Sequence, residues 1–88
     1  MLKENKVHSR CKIRLDTVKS VEKFVSKLNS DGTIDKYFLE DFNGDKRVDA
    51  RSYLGVVYAS SDFSGEIYLV NATNDGKYPS FISEFMIF

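Results

Sequence analysis

Between Arg10 and Leu28 the apolar residues change period with no linker between the two patterns. From Arg10 to Asp16, Cys11, Ile13 and Leu15 alternate with Lys12 and Arg14, which is the pattern of a half-buried strand. Immediately afterwards Val18, Val21, Phe24, Val25 and Leu28 fall on one helical stripe, with Lys19, Glu22, Lys23 and Lys27 on the other side. Asp16 or Thr17 supplies the N-cap. A strand that runs straight into an amphipathic helix has two apolar faces to cover, and they cover each other when the helix folds back on a sheet.

The remaining segments extend this arrangement. Asn29-Ser30-Asp31-Gly32 ends the helix, and a β-rich run from Thr33 to Phe42 meets a turn signal at Asn43-Gly44 before alternation resumes over Arg47 to Ala50. The register of the run before the turn is ambiguous. Ser52 is placed to cap a short helix through Tyr53, Leu54, Val56, Val57 and Tyr58, weakened by Gly55. A loop over Ser60 to Gly65, a strand over Glu66 to Asn71 and a turn at Asn74-Asp75-Gly76 follow. Pro79 then opens a C-terminal helix with Phe81, Ile82, Phe85 and Met86 on its apolar side. The expected fold is α+β: an open-faced β-sandwich in βαββαβα order, with a four-stranded antiparallel sheet and helices on one face.

The 88 residues suit one domain, since a chain of this size buries only about 60 to 65% of its unfolded surface. We expect an N-terminal arm over 1–9 and a single domain over 10–88. Thirteen basic residues balance thirteen acidic ones, so there is no global field to draw nucleic acid or an anionic membrane. No signal-peptide-like or membrane-spanning apolar run occurs, which makes the cytoplasm the expected compartment. Lone Cys11 lies in the first strand and is expected to pack, and His8 belongs to the arm.

The segment from Phe42 to Ser52, followed by Tyr53-Leu54-Gly55-Val56-Val57, resembles the hairpin and second helix of the histidine-containing phosphocarrier protein (HPr) family, allowing one inserted residue near Asp45. An Asn-Gly turn, a strand, an Arg-Ser step and a short helix with an apolar residue, Gly and Val occur here in that order. The element order over roughly residues 10 to 86 is similar to that family's as well. The resemblance implies an active site at the start of the first helix, in a Gly-Ile-His-Ala-Arg-Pro stretch.

This chain departs from that pattern. Thr17 stands in the place of the histidine, next to Asp16; Lys19 stands near the arginine, and Ser20 replaces the proline. An imidazole forms a phosphoramidate that passes its phosphoryl group onward, whereas a threonine phosphoester is too stable to do so readily. Asp16 could form an acyl phosphate, although a carboxylate there is sufficiently explained as a helix cap. The resemblance also implies that Ser52 is the position phosphorylated by an ATP-dependent kinase in some bacterial members, where capping alone would also account for a serine. It further implies a docking patch at Tyr53, Leu54 and Val57, residues that could equally be half core.

The same stretch spaces Asp41, Asn43, Asp45, Arg47, Asp49 and Ser52 in a manner similar to an EF-hand or dockerin calcium loop. Lys46 takes the place of the turn glycine, and Ser52 the place of the closing carboxylate. There is no Gly-rich phosphate loop, no Cys/His ligand cluster and no convincing Ser-His-Asp set, so the expectation is a protein that is not an enzyme and uses no cofactor or metal. Arg10, Lys12 and Arg14 make a small basic ridge on strand one, but Tyr53 and Tyr58 fall on the short helix and leave it without an aromatic sheet face for nucleic acid. The favoured reading is a regulatory or protein-binding module. Its expected partners are phosphotransferase-system components or an HPr kinase, with neither nucleic acid nor membrane; calcium binding through Asp41 to Ser52 is the alternative.

Overall fold

A computed structural model describes residues 9–86. Most of the expected arm, including His8, and the last residues Ile87 and Phe88 lie outside that range. The elements are β1 (Cys11–Ile13), α1 (Val18–Asn29), β2 (Tyr37–Glu40), β3 (Arg47–Asp49), α2 (Tyr53–Asp62), β4 (Ile67–Asn71) and a 3-10 turn over Ser80–Glu84. All four strands pair antiparallel in the order β1-β4-β2-β3. The chain is therefore α+β, an open four-stranded antiparallel sheet with helices packed on one face.

Register decides which residues those helices cover. Cys11 pairs with Leu69, Leu69 with Leu39 and Leu39 with Val48, so one row of apolar side chains crosses the whole sheet on its inner face. Ile13, Ile67 and Tyr37 share that face through the period-two alternation. Val21, Phe24, Val25 and Leu28 of α1 and Val56 and Ala59 of α2 close over them. Phe24 is the centre of this layer, with the Phe81 and Phe85 rings edge-on at 6.3 and 5.4 Å. Cys11 is buried in the same layer, and burial pushes its thiol pKa up, away from the reactive thiolate.

Three expectations change. The alternating segments at Arg10–Asp16 and Thr33–Phe42 enter the ladder only over Cys11–Ile13 and Tyr37–Glu40. Past Ile13 the Arg14 N–H leaves the ladder for the Phe85 carbonyl. Before β2, Arg51 holds the loop instead, donating to the carbonyls of Leu28, Thr33 and Asp35. The expected C-terminal α-helix is a 3-10 turn. Ile82 and Phe85 each bond three residues back, and Met86 must extend to bridge Ile13, which leaves no length for another helical turn. Val18, the first residue of α1, lies outside the buried stripe at 69% exposure.

Asn71, 2% exposed, joins β4 to both neighbouring loops. Its Nδ2 donates to Asp35 Oδ2 (2.9 Å) and the Lys77 carbonyl (3.0 Å), and its Oδ1 accepts from the N–H groups of Thr73 and Asn74. Hydrogen bonds from Asn71 and Asn74 hold the Asp35 carboxyl below its usual pKa range. Asn71→Ala is expected to lower unfolding free energy by about 2 kcal/mol, read from denaturant melts at neutral pH. The sign with pH follows from the depressed folded pKa. The Asp35 contribution is complete above the ordinary carboxylate range and is lost as pH falls through the lower folded value, so the Asn71→Ala penalty should shrink on acidification.

Candidate functional site

Leu15 is buried, and the chain then crosses from the sheet to α1 through exposed Asp16 and Thr17. Thr17 caps the helix by accepting from the Ser20 N–H (3.0 Å), while Ser20 Oγ accepts from the Thr17 N–H (3.1 Å) and donates to the Thr17 carbonyl (2.8 Å). This closed capping box uses both hydroxyl side chains to terminate the helix. Of the two candidates for that cap, Thr17 serves and Asp16 does not. Lys19 is on the exposed side of the first turn.

The second helix starts in a comparable way. Ser52, half-buried, accepts from the Gly55 N–H at 3.1 Å. Gly55 sits where a Cβ would stand 3.1 Å from the Asp49 carbonyl oxygen and 3.4 Å from Val48 Cβ. The missing side chain lets α2 lie directly on β3, which fixes where the next turn of the helix emerges. Its buried residues are Val56 and Ala59; Tyr53, Leu54, Val57 and Tyr58 all face outward. No residue from Tyr53 to Ser61 carries a charge, so the helix is apolar on its outer side as well.

The start of α1 lies along one side of α2, whose own start is tied to the other end of α1 through Arg51 and Asn29. A cleft of about 240 Å³ opens between the start of α1 and α2, with Leu15, Val18, Val21, Tyr53 and Val57 as its apolar wall and Asp16, Thr17, Ser60 and Ser61 at its rim. Leu54 stands beside it, 77% exposed. Of the residues singled out from the sequence, Asp16, Thr17, Tyr53 and Val57 therefore share one site. Ser20 and Lys19 do not line this cleft; Ser20 borders a second, more polar depression with Arg14, Lys23 and Glu84, which Asp16 also lines. Ser52 is beneath the patch as a cap. The sequence shows the outer residues of α2 but carried no signal for Val18, whose place on the helical stripe pointed inward.

The calcium-like spacing folds as a hairpin followed by a helix cap. The left-handed turn residue is Gly44 (φ +76°), two positions before the place a calcium loop requires. Asp41 Oδ1 accepts from the N–H groups of Asp45 (2.9 Å) and Lys46 (3.2 Å), Asp49 Oδ1 accepts from the Arg51 N–H, and Arg47 and Asp49 lie in β3. Among the described residues no three His, Cys, Asp or Glu side chains converge as metal ligands. Lys46 pairs with Asp62 at 2.6 Å, tying the hairpin to the end of α2; hydrogen bonds from Lys46 and Tyr58 hold the Asp62 carboxyl below its usual range.

Tyr53 and Tyr58 lie on α2 as expected, and the outer face of the sheet carries two other aromatic rings. They are Phe38 and Tyr68, and arginines cover both. The Arg10 guanidinium lies 4.0 Å over Tyr68, and that of Arg47 lies 4.8 Å over Phe38. Between them Glu40, 2% exposed, accepts from Arg47 and sits 3.9 Å from Arg10. The basic ridge on β1 is correspondingly partnered: Arg10 by Glu40 and two loop carbonyls, Lys12 by Glu66 at 3.1 Å.

Comparison with protein-family models, curated proteins and solved structures finds no match to this chain. Among the described residues no helix is long and apolar enough to cross a membrane.

The close packing at Gly55 gives a test of how the site is built. Gly55→Ala gains helix propensity of about 1 kcal/mol but sets a methyl group against a backbone oxygen, an overpacking cost of about 1–3 kcal/mol. The expected net result is destabilisation, together with chemical-shift changes at Val48, Asp49 and Tyr53 in a two-dimensional NMR spectrum. A stabilised protein with those shifts unmoved would contradict the close approach.

Proposed function

We propose that this chain is a protein-binding, regulatory module of HPr-like type, which docks protein partners through the outer side of α2 and the start of α1 and does not carry phosphate on histidine. The observation that supports this reading most is the uncharged outer side of α2, with Tyr53, Leu54 and Val57 exposed beside the Thr17 cap. An apolar helix face in contact with water is the usual mark of an interaction surface. The likeness to HPr rests on the residues from Phe42 to Val57 and on element order, and it supplies the class of partner: components of a sugar phosphotransferase system or an HPr kinase.

Thr17 offers no route to relay chemistry. Its hydroxyl is engaged in the capping box and its phosphoester would be a poor donor. Ser52 is the regulatory position in this reading. A phosphate there would meet the N–H groups at the start of α2 and bring nearly two negative charges next to Tyr53 and Leu54.

The test is incubation with phosphoenolpyruvate and the general phosphotransferase enzyme, and separately with ATP and an HPr kinase, with any phosphate located by mass spectrometry. We expect no transferable label in the first reaction. In the second we expect a label on Ser52 that Ser52→Ala abolishes. Label on Asp16 or His8 that passes to an acceptor would overturn the non-carrier reading, and no label on Ser52 would remove the switch. For docking, Leu54→Lys should weaken capture by the phosphotransferase enzyme or the kinase at least about tenfold while leaving the melting midpoint almost unchanged.

A further inference from the structure

We propose that Asn43 is a site of spontaneous covalent modification, at which the Gly44 backbone nitrogen closes onto the Asn43 side-chain amide. The step balances without a cofactor. Gly44 N gives its proton to water and bonds Asn43 Cγ, and the side-chain amide departs as ammonia to leave a succinimide. Water then opens the ring: attack at the side-chain carbonyl yields aspartate, and attack at the main-chain carbonyl yields isoaspartate, in which the backbone runs through the side chain. The proposal is independent of the docking reading.

Ring closure needs a free side-chain amide followed by an unhindered nitrogen, and the fold leaves both at one place. Of the four asparagines among the described residues, three are held. Asn29 Nδ2 donates to the Arg51 carbonyl, Asn74 Nδ2 donates to Asp35 Oδ1 at 2.8 Å, and Asn71 is buried with hydrogen bonds on both its Nδ2 and its Oδ1. Each also precedes a residue with a side chain. The exposed Asn43 amide bonds no described residue, and Gly44 follows it with φ +76°. A Cβ at Gly44 would meet only Glu40 Oε1, at 3.7 Å, so the surroundings of the nitrogen are open as well.

The turn restrains the reaction. Gly44 N–H donates to the Asp41 carbonyl at 3.1 Å, closing a β-turn at the tip of the hairpin, and the nitrogen must give up that bond to attack. Asp41 Oδ1 holds the same loop shut through the N–H groups of Asp45 and Lys46. Modification is therefore gated by opening of a loop that one aspartate closes. The product in turn changes that loop. Asn43 lines a depression of about 280 Å³ with Asp41, Lys46, Asp62 and Glu66, so a carboxylate at position 43 adds a fourth acid around one lysine. The chain's thirteen acidic residues become fourteen against thirteen basic ones. Isoaspartate also adds a methylene to the main chain between Asp41 and Lys46, the residue that ties the hairpin to the end of α2.

The test is incubation of the purified full chain at mildly alkaline pH, followed by peptide mass spectrometry and by methyl transfer from S-adenosylmethionine with an isoaspartyl methyltransferase. We expect the amide-to-acid mass gain at Asn43 ahead of Asn29, Asn71 and Asn74, with isoaspartate that accepts methyl groups. Asn43→Gln, whose longer side chain closes the ring far more slowly, should remove both signals at that position. Asp41→Ala should speed the reaction about fivefold, the factor for one net hydrogen bond lost from the closed loop. No conversion at Asn43, earlier conversion at Asn29, Asn71 or Asn74, or aspartate at Asn43 without isoaspartate would overturn the proposal. An unchanged rate in Asp41→Ala would overturn gating by the turn, and the measurements on the unaltered chain decide the site whether or not that variant folds.

Discussion

Gly55 lies against the Asp49 carbonyl at the distance of a missing methyl group, and the candidate face is arranged around that contact. With α2 pressed onto β3, Val56 and Ala59 reach the core over Leu39 and Ile67, and the remaining positions of the helix are left outside. A helix held further from the sheet would need larger side chains inward and would shift the outer residues away from α1. Instead one side of α2 runs past the start of α1, so Tyr53 and Val57 share a cleft with Leu15 and Val18. Ser52 caps α2 next to Arg51, which bonds the end of α1.

The opposite side of the molecule shows why the candidate interface is helical. Phe38 and Tyr68 on the outer sheet face are covered by Arg47 and Arg10, and the nearly inaccessible Glu40 carboxylate lies between the two guanidinium groups. Those planar groups fill the ring faces that a nucleobase or an apolar side chain would otherwise use. Removing either arginine would leave the buried Glu40 carboxylate less well compensated, which is destabilising. The sheet face has its rings covered by its own arginines, whereas Tyr53, Leu54, Val57 and Tyr58 on the α2 face are exposed among the described residues.

Local pattern carried the fold a long way. The period change between Leu15 and Val18, the Asn43-Gly44 turn and the Ser52 cap were all readable, because each depends on near neighbours. Element ends were not, since distant partners decide them: Arg51 reaches back to Leu28 and Thr33, and Phe85 takes the Arg14 N–H out of the ladder. The C-terminal segment has helix-like spacing but is claimed by the bridge between Met86 and Ile13. At the candidate site the outward residues of α2 were visible as a resemblance, while Gly55 read only as a weak helix former. Its role against Asp49 depends on a strand that the sequence does not show to be adjacent. Glu40 and Asn71 gave no signal, because an isolated polar residue in a strand reads as exposed until its cross-strand neighbours are known.

The setting of Ser52 limits how a phosphate could act there. The Arg51 guanidinium is already engaged by the carbonyls of Leu28, Thr33 and Asp35, so it holds the loop before β2 instead of waiting beside Ser52. On the other side Ser52 follows Asp49, whose carbonyl accepts the Ser52 N–H and whose carboxylate accepts from Arg51. A phosphate would therefore draw on the N–H groups and dipole of α2 with a carboxylate close by, and no arginine clamp would form without dismantling the loop. Its main effect would be electrostatic and local. A doubly charged group would stand at the edge of the Tyr53 and Leu54 surface, where an apolar partner could bury that surface only by stripping water from the charge. Switching of that kind needs no conformational change, because the property being altered is the cost of covering a face that the fold keeps exposed.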